Sequence, residues 1–409
     1  MQYDVFFSIC QTPVSGFQPS EAEMFRNFFA QVEAADAAGY GTAWVAEAHL
    51  STQIQKRHRQ PVVPHWEGEI GLNTDIFQLA HRVFGRTKRI CVGSAVMSLL
   101  CNGGPLARAE QVSAFLALHG LDPAEQRRLC VGFSAGRFDF MARAYGIVPR
   151  NALEEVAWPA LKGLIFAEAC EIFLRGLRGD VFSSDDVRAT VLTRADFRSD
   201  ADWKRVQDLG GGGDRVDIPR RFPFEPLQII PRETRKELLD LYLGSHAPWL
   251  QDEVNRYAPV KVFNLSITAP AVIDETHRRL STNFHPDGGP WHRGYMPRTV
   301  MVFLNDQPGL TPESRRAAAH DEAQTALSAY WRALEGTLDP KKVAEATDNA
   351  VIGNADDVAA QIAARFHPED RLMLWFDFFN HDCGRVIANQ DAFLAKVAPQ
   401  VAERMGARP

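Results

Sequence analysis

An α/β fold, a (β/α)8 TIM-type barrel with loop insertions, is what this sequence predicts. Short apolar runs recur at 5–9, 42–46, 90–96, 129–133, 227–230, 260–265, 299–304 and 372–376, and helical patterns separate them. Most of the runs are apolar throughout, as expected of parallel strands covered on both faces. Eight strands alternating with helices fit a closed barrel at least as well as an open sheet.

The first unit shows how each element is read. After strand 5–9, Ser20 and Glu23 form a capping-box pair, and Met24, Phe25, Phe28, Phe29, Val32 and Ala35 follow at helical spacing. Gly39 ends that helix and strand 42–46 follows, which completes a right-handed βαβ unit. Further helical patterns cover 107–119, 153–174, 235–243, 312–334 and 355–366, the last capped by Asn354. Segments 51–73, 183–225 and 282–297 break the alternation. They are read as loop insertions in one domain spanning 1–409, the second of them mobile, because none flanks a self-sufficient apolar unit.

Composition narrows the class. Hydrophobic residues make up 45% and charged residues 23%, with a net charge of −6, so no global positive field draws nucleic acid or anionic lipid. The six cysteines form no C-x-x-C pair and no zinc-spaced cluster, which points to a reducing compartment and no metal site. The start, MQYDVFFSIC, lacks a basic region and a long apolar run, and no stretch approaches the roughly 20 apolar residues of a membrane span. A cytoplasmic location is expected.

Among short motifs, Gly132-Phe133-Ser134-Ala135-Gly136 matches the nucleophile elbow G-x-S-x-G, and Asp377 and His381 follow in the chain order of an α/β-hydrolase triad. Against that reading, no HGGG-type oxyanion loop precedes it; Asn102-Gly103-Gly104-Pro105 is a poor substitute. Dinucleotide, P-loop, H-E-x-x-H and EF-hand patterns are all missing from the sequence. His58, His65, His285 and His292 lie in polar loops and are read as solvated. Residues Trp375 to Phe379 are read as the last strand and its edge, with an aromatic cofactor wall as the sharper alternative.

Longer stretches carry more information. AADAAGYGTAWVAEAHL (34–50), TKRICVGSAVMSL (87–99) with GGPLARAEQVSAFLALHG, RRLCVGFSAGRF (127–138), FSSDDVRA (182–189) and VIGNADDVAAQIAARF (351–366) occur in that order. Together the chain resembles the bacterial-luciferase-like flavin-dependent monooxygenases over roughly residues 4–380. The resemblance implies a barrel with its chemistry at the C-terminal strand ends. It places Phe6, Glu47, Ala95, Val96, Ser134 and Arg137 around a flavin, with a non-prolyl cis peptide at Ala95–Val96.

Where the family often shows Glu-His-His, this chain has Glu47-Ala48-His49, so the usual catalytic histidine is Ala48 and His49 is the one that remains. His49 and Ser134 are the candidate catalytic residues. Ala135 replaces a common arginine, and Arg137 stands two residues on as a substitute charge. Arg232, Thr234 and Arg235 are expected to hold the flavin phosphate after the fifth strand.

The activity implied is a two-component monooxygenase. A flavin reductase supplies reduced FMN, and one oxygen atom from O2 enters a small organic substrate in a homodimeric enzyme. Three alternatives stay open: hydride transfer with F420, a serine hydrolase using Ser134, and a non-catalytic flavin-binding barrel.

Overall fold

The computed structural model describes residues 1–336 and 348–406. Strand-period alternation fixes its architecture. In β1 (Gln2–Phe7) Val5 and Phe7 pack outward against helices, while Asp4 and Phe6 turn inward. The same parity holds in β2 (Thr42–Val45), where Ala43 and Val45 face out and Thr42 and Trp44 face in, and in β4 (Leu129–Ser134), where Cys130 faces in.

The described residues form one parallel sheet in the order β10-β9-β11-β1-β2-β3-β4-β7-β8. Its remaining members are β3 (Cys91–Ser98), β7 (Leu239–Leu243), β8 (Val260–Val262), β9 (Arg298–Leu304), β10 (Val351–Gly353) and β11 (Arg371–Trp375). Asn264 closes the ring: its N–H donates to Pro297 O at 3.0 Å and its O accepts from Thr299 N–H at 3.2 Å. The short β10 continues along the end of β9, on the side that β8 has left. The barrel expected from the sequence is the fold observed.

Seven of the eight expected strands lie in the ring, and the fifth does not. Residues 227–230 contribute only a bridge from Leu227 to Phe182. The fifth barrel strand is β7, inside a stretch read above as the helix 235–243. LDLYL satisfies strand period as well as helical spacing. Leu241 and Leu243 pack outward, and Tyr242 enters the barrel.

The helices follow the sequence more closely. In α1 (Glu21–Ala38) Ser20 and Glu23 cap each other, and Gly39 takes the left-handed conformation at φ 103°. Next come α2 (Thr52–Gln55), α3 (Ile76–Phe84), α4 (Gly104–His119), α5 (Asp139–Arg143) and α6 (Ala152–Arg178). Then α7 (Asp200–Leu209), α8 (Pro248–Val254), α9 (Pro270–Asn283) and α10 (Pro312–Leu334) complete those needed below. No described helix is long and apolar enough to cross a membrane.

Each insertion has its own job. Segment 183–225 is an antiparallel pair, β5 (Thr190–Thr193) and β6 (Arg215–Ile218), with α7 between them and Trp203 and Val206 buried, where the sequence suggested a mobile loop. Segment 282–297 lies by the N-terminal strand ends, where Tyr295 sits under Lys261 at 4.3 Å and Arg293 pairs with Asp370 at 2.5 Å. Segment 51–73 packs Val63 and Trp66 against Phe303, Tyr330 and Phe378, on the opposite side of the barrel.

Two layers fill the interior below that roof. The lower one is polar. Asp4 accepts from Thr42 N–H (2.9 Å), Trp44 Nε1–H (2.7 Å) and Arg371 Nε–H (2.6 Å), and Arg371 also donates to Thr42 Oγ1. Nearby, Lys261 donates to Asp240 at 2.7 Å. Above it Phe6, Trp44, Tyr242, Phe263 and Met373 make an apolar layer. Gly93 leaves room for the Trp44 ring, which a Cβ there would meet at 2.4 Å.

Removing one member of a buried ion pair strands the other charge, so Asp4→Ala should cost about 3–5 kcal/mol. Urea denaturation at pH 7 measures it, and a loss below about 1 kcal/mol would show Asp4 to be an ordinary surface-like pair.

Candidate functional site

Above the apolar layer, inward positions at the C-terminal strand ends become small. They are Ala46 after β2, Ala95 and Val96 in β3, Ser134 ending β4 and Gly244 after β7. Ala46, Val96, Ser134 and Gly244 are partly accessible, whereas Trp44, Tyr242 and Phe263 beneath them are buried. The result is a depression floored by aromatic rings and rimmed on one side by small residues. Phe6 and Trp375, with ring centroids 4.8 Å apart, bound the other side.

Ala95–Val96 is a non-prolyl cis peptide, as the resemblance implied. Gly132 opposite it is obligatory: a Cβ there would lie 2.3 Å from Ser94 O and 2.6 Å from Val96 Cγ1. The glycine of the apparent nucleophile elbow therefore serves strand packing. Ser134 itself pairs with Ser98 on β3, just past a register shift between Ser94 and Met97, and its Oγ accepts from Gly136 N–H at 3.0 Å. His381 Nε2 is 2.6 Å from Thr12 O, and Asp377 Oδ2 accepts from Ser8 N–H at 3.4 Å. Neither reaches Ser134 through a hydrogen bond, so the triad reading lacks its base.

The strand-two residues Glu47 and His49 are joined to an arginine of α4. Glu47 Oε1 lies 2.9 Å from both Arg108 Nη2 and His49 Nε2, and Arg108 Nη2 lies 3.4 Å from His49 Nε2. All three side chains are buried. Arg108 also reaches Ser98 O at 3.4 Å, so the cluster ties the end of β2 to β3 and α4. His49 Nε2 is occupied in this cluster, which makes His49 a part of the scaffold under the rim. Ala48 is buried beneath the 51–73 segment, against Gly71.

Arg137, on the loop after β4, is exposed and stacks 5.2 Å over Phe138. It also acts on Tyr330 of α10: burial raises that phenol, and the guanidinium pulls it back. After β7, Thr268 Oγ1 lies 3.1 Å from His246 Nε2. A cleft of about 1160 Å³ runs from Ser245 and Trp249 along α6 to the β5–β6 pair.

The expected phosphate site is corrected. Arg232, Thr234 and Arg235 precede β7, because strand five is 239–243, and so they lie at the N-terminal end of the barrel. Arg235 there donates to Asp122 O at 3.0 Å and to Glu237 at 2.8 Å, and Arg232 donates to Gln228 at 3.3 Å. The chain therefore brings Ala95, Val96, Ser134 and Arg137 to one rim, with Phe6, Glu47 and His49 just under it, and separates the three phosphate candidates from them. Arg108 was missed, although its place in GGPLARAEQ one helix past β3 put it within reach of strand-two carboxylates. Asp377 was noticed only as a hydrolase acid.

No protein-family model matches the chain. The uncharacterized protein y4vJ of Sinorhizobium fredii (strain NBRC 101917 / NGR234) is 27% identical over 183 residues, which are 45% of this chain and 42% of that relative. The match thus spans less than half of either protein. Solved structures are similar over almost the whole chain. Monooxygenase RslO1 from Streptomyces bottropensis superposes with a TM-score of 0.65 at 15% identity, over 98% of this chain and 99% of that one. An F420-dependent secondary alcohol dehydrogenase, in complex with an F420–acetone adduct, gives 0.57 at 13% identity, over 98% of this chain and 98% of that one. The oxygenating constituent of 3,6-diketocamphane monooxygenase from Pseudomonas putida, in complex with FMN, gives 0.54 at 12% identity, over 98% and 99%. The chain has the luciferase-like barrel fold.

Two outcomes check this geometry. Arg108→Leu should destabilise the protein by about 3–5 kcal/mol in urea, because Glu47 would stay buried without its cation. Ser134→Ala should leave any ester turnover unchanged, and a fluorophosphonate should not label Ser134; labelling there would restore the hydrolase reading.

Proposed function

We propose that this chain is a luciferase-like oxidoreductase that binds a flavin or deazaflavin at the barrel mouth. In its simplest form it is a monooxygenase that takes reduced FMN from a separate reductase and uses O2 on a small organic substrate. The observation that carries the reading is the depression itself: small inward residues on four successive barrel strands above an aromatic floor. A planar heterocycle needs such a flat, shallow bed. The fold shared with structures that hold FMN or F420 supports the same reading.

Ala46, Ala95, Val96, Ser134 and Gly244 would hold the ring system, with Phe6 and Trp375 at its edge. The exposed guanidinium of Arg137 is assigned to an anionic end of cofactor or substrate. The bound cofactor supplies two-electron redox chemistry, which no side chain here provides. The chain's own part is to orient and to exclude water. Trp66, Tyr330, Phe378 and Phe379 form an apolar roof beside the mouth, and the Glu47–Arg108 pair keeps the β2 and β3 ends from shifting.

Titration with FMN, reduced FMN and F420, followed by absorbance and fluorescence, tests the reading. One of the three is expected to bind. Ser134→Phe, which puts a ring into the depression, should weaken that binding at least tenfold, about 1.4 kcal/mol, with little change in melting temperature. Arg232→Ala combined with Arg235→Ala should leave affinity within twofold. Binding lost in the double variant and kept in Ser134→Phe would move the site to the other end of the barrel.

A further inference from the structure

Histidine is the side chain that most readily trades a proton near neutral pH, and at the β2 end of the rim none is free to do so, while His246 after β7 is turned to Thr268. Position 48 is alanine, and His49 Nε2 is held in the Glu47–Arg108 cluster. A barrel that moves a proton at its mouth needs another group there. The inward parity of β11 supplies one. Met373 and Trp375 point inward, and Asp377, two residues further, stands at the rim beside the first strand, where Ser8 N–H meets its Oδ2 at 3.4 Å.

The other carboxyl oxygen is the informative atom. Asp377 Oδ1 is shut off from solvent and has no hydrogen-bond partner. A structural aspartate would be expected to have both oxygens satisfied, as Asp4 does with Thr42, Trp44 and Arg371. No cation is paired with Asp377 among the described residues, in contrast to Glu47. The groups that face it are Ser8, through both its backbone and its hydroxyl, the Trp375 indole at the end of β11 and the Cys10 thiol from the loop after β1. Cys10 is itself engaged, with Sγ 2.8 Å from Thr12 Oγ1.

We infer that Asp377 is the group that gives and takes the proton at this mouth, in place of the histidine that Ala48 lacks. The inference rests on the oxidoreductase reading and adds the acid–base residue to it. In the protonated form Oδ1 or Oδ2 carries the hydrogen, which passes to a basic atom of the bound cofactor or substrate. The carboxylate left behind recovers a proton from solvent, which reaches the partly accessible residue. Burial pushes this carboxyl up to about 7, and the Ser8 N–H and Trp375 indole pull it back only in part. A group near that value is half-loaded at neutral pH, the condition under which acid and base roles are both available.

Two measurements decide it, one of them independent of any cofactor. In the unliganded protein, a carboxyl raised in the folded state keeps its proton while the unfolded chain has lost it. Folding stability therefore falls as pH rises from about 4 to about 7. Asp377→Asn removes that dependence, so its melting temperature relative to the parent should climb across this window and level off above it. A difference that does not vary with pH would show that Asp377 titrates as an ordinary carboxyl and overturns the proposal.

The second measurement is the rate at which bound reduced FMN is reoxidised in air, followed by flavin absorbance from pH 5 to 9. The parent should show a pH limb near 7, and Asp377→Asn should lack it, with FMN affinity changed less than threefold. A limb that persists in Asp377→Asn, with FMN still bound, overturns this proposal alone. Failure of both proteins to bind FMN or F420 overturns the oxidoreductase reading and this inference with it.

Discussion

The Asp4–Arg371 ion pair is the constraint on which the rest of the barrel depends. It joins the first strand to the last, neighbours in the sheet whose paired residues are 367 positions apart in the chain. Its partners are drawn from two further strands of the ring: Thr42 and Trp44 in β2, and Tyr242, whose hydroxyl accepts from Arg371 at 3.4 Å, in β7. Coulombic attraction from Asp4 holds the Arg371 guanidinium firmly charged against the burial that would discharge it. Such a pair adds little net stability over an apolar plug, but it admits only one strand register. With the base of the barrel set in this way, Phe6, Trp44 and Met373 are stacked one layer higher, and the small rim residues fall at a common height.

What the sequence disclosed follows from this arrangement. Strands covered on both faces are continuous apolar runs, so stretches such as ICVGSAV at 90–96 declare themselves, and capped helices such as α1 give their ends away through Ser20, Glu23 and Gly39. The fifth strand was hidden because its inward positions, Asp240 and Tyr242, belong to the polar plug and its neighbour layer. Polar inward residues erase the apolar signature, and the spacing of KELLDLYL at 236–243 then passes for a helix. The error carried over to the candidate site, since a strand displaced by about ten residues put Arg232, Thr234 and Arg235 before the fifth strand and not after it.

The site was legible where it is made of backbone and shape, at Ala95–Val96 and Ser134, and illegible where it is made of pairing. Nothing in Glu47-Ala48-His49 announces that an arginine 61 positions along will claim both Glu47 and His49. A charge pairing between distant segments leaves no local pattern. For the same reason Asp377 looked like one more residue in an aromatic strand edge, until an unpaired oxygen and the lack of a paired cation among the described residues together set it apart from Glu47, whose Oε2 is also unpaired but whose Oε1 holds Arg108.

The roof beside the mouth has a consequence for how this protein can change over generations. In the polar layer at the base of the barrel, side chains are locked by directional, charged contacts, and removing one leaves a stranded partner. The cover contributed by Val63, Trp66, Leu327, Tyr330 and Phe378 is held by dispersion and ring-edge contacts, and volume-conserving exchanges in such packing cost little. Mutational drift is therefore channelled into the part of the chamber farthest from the closing ion pair. New substrate preferences can be sampled there while the barrel itself is inherited intact.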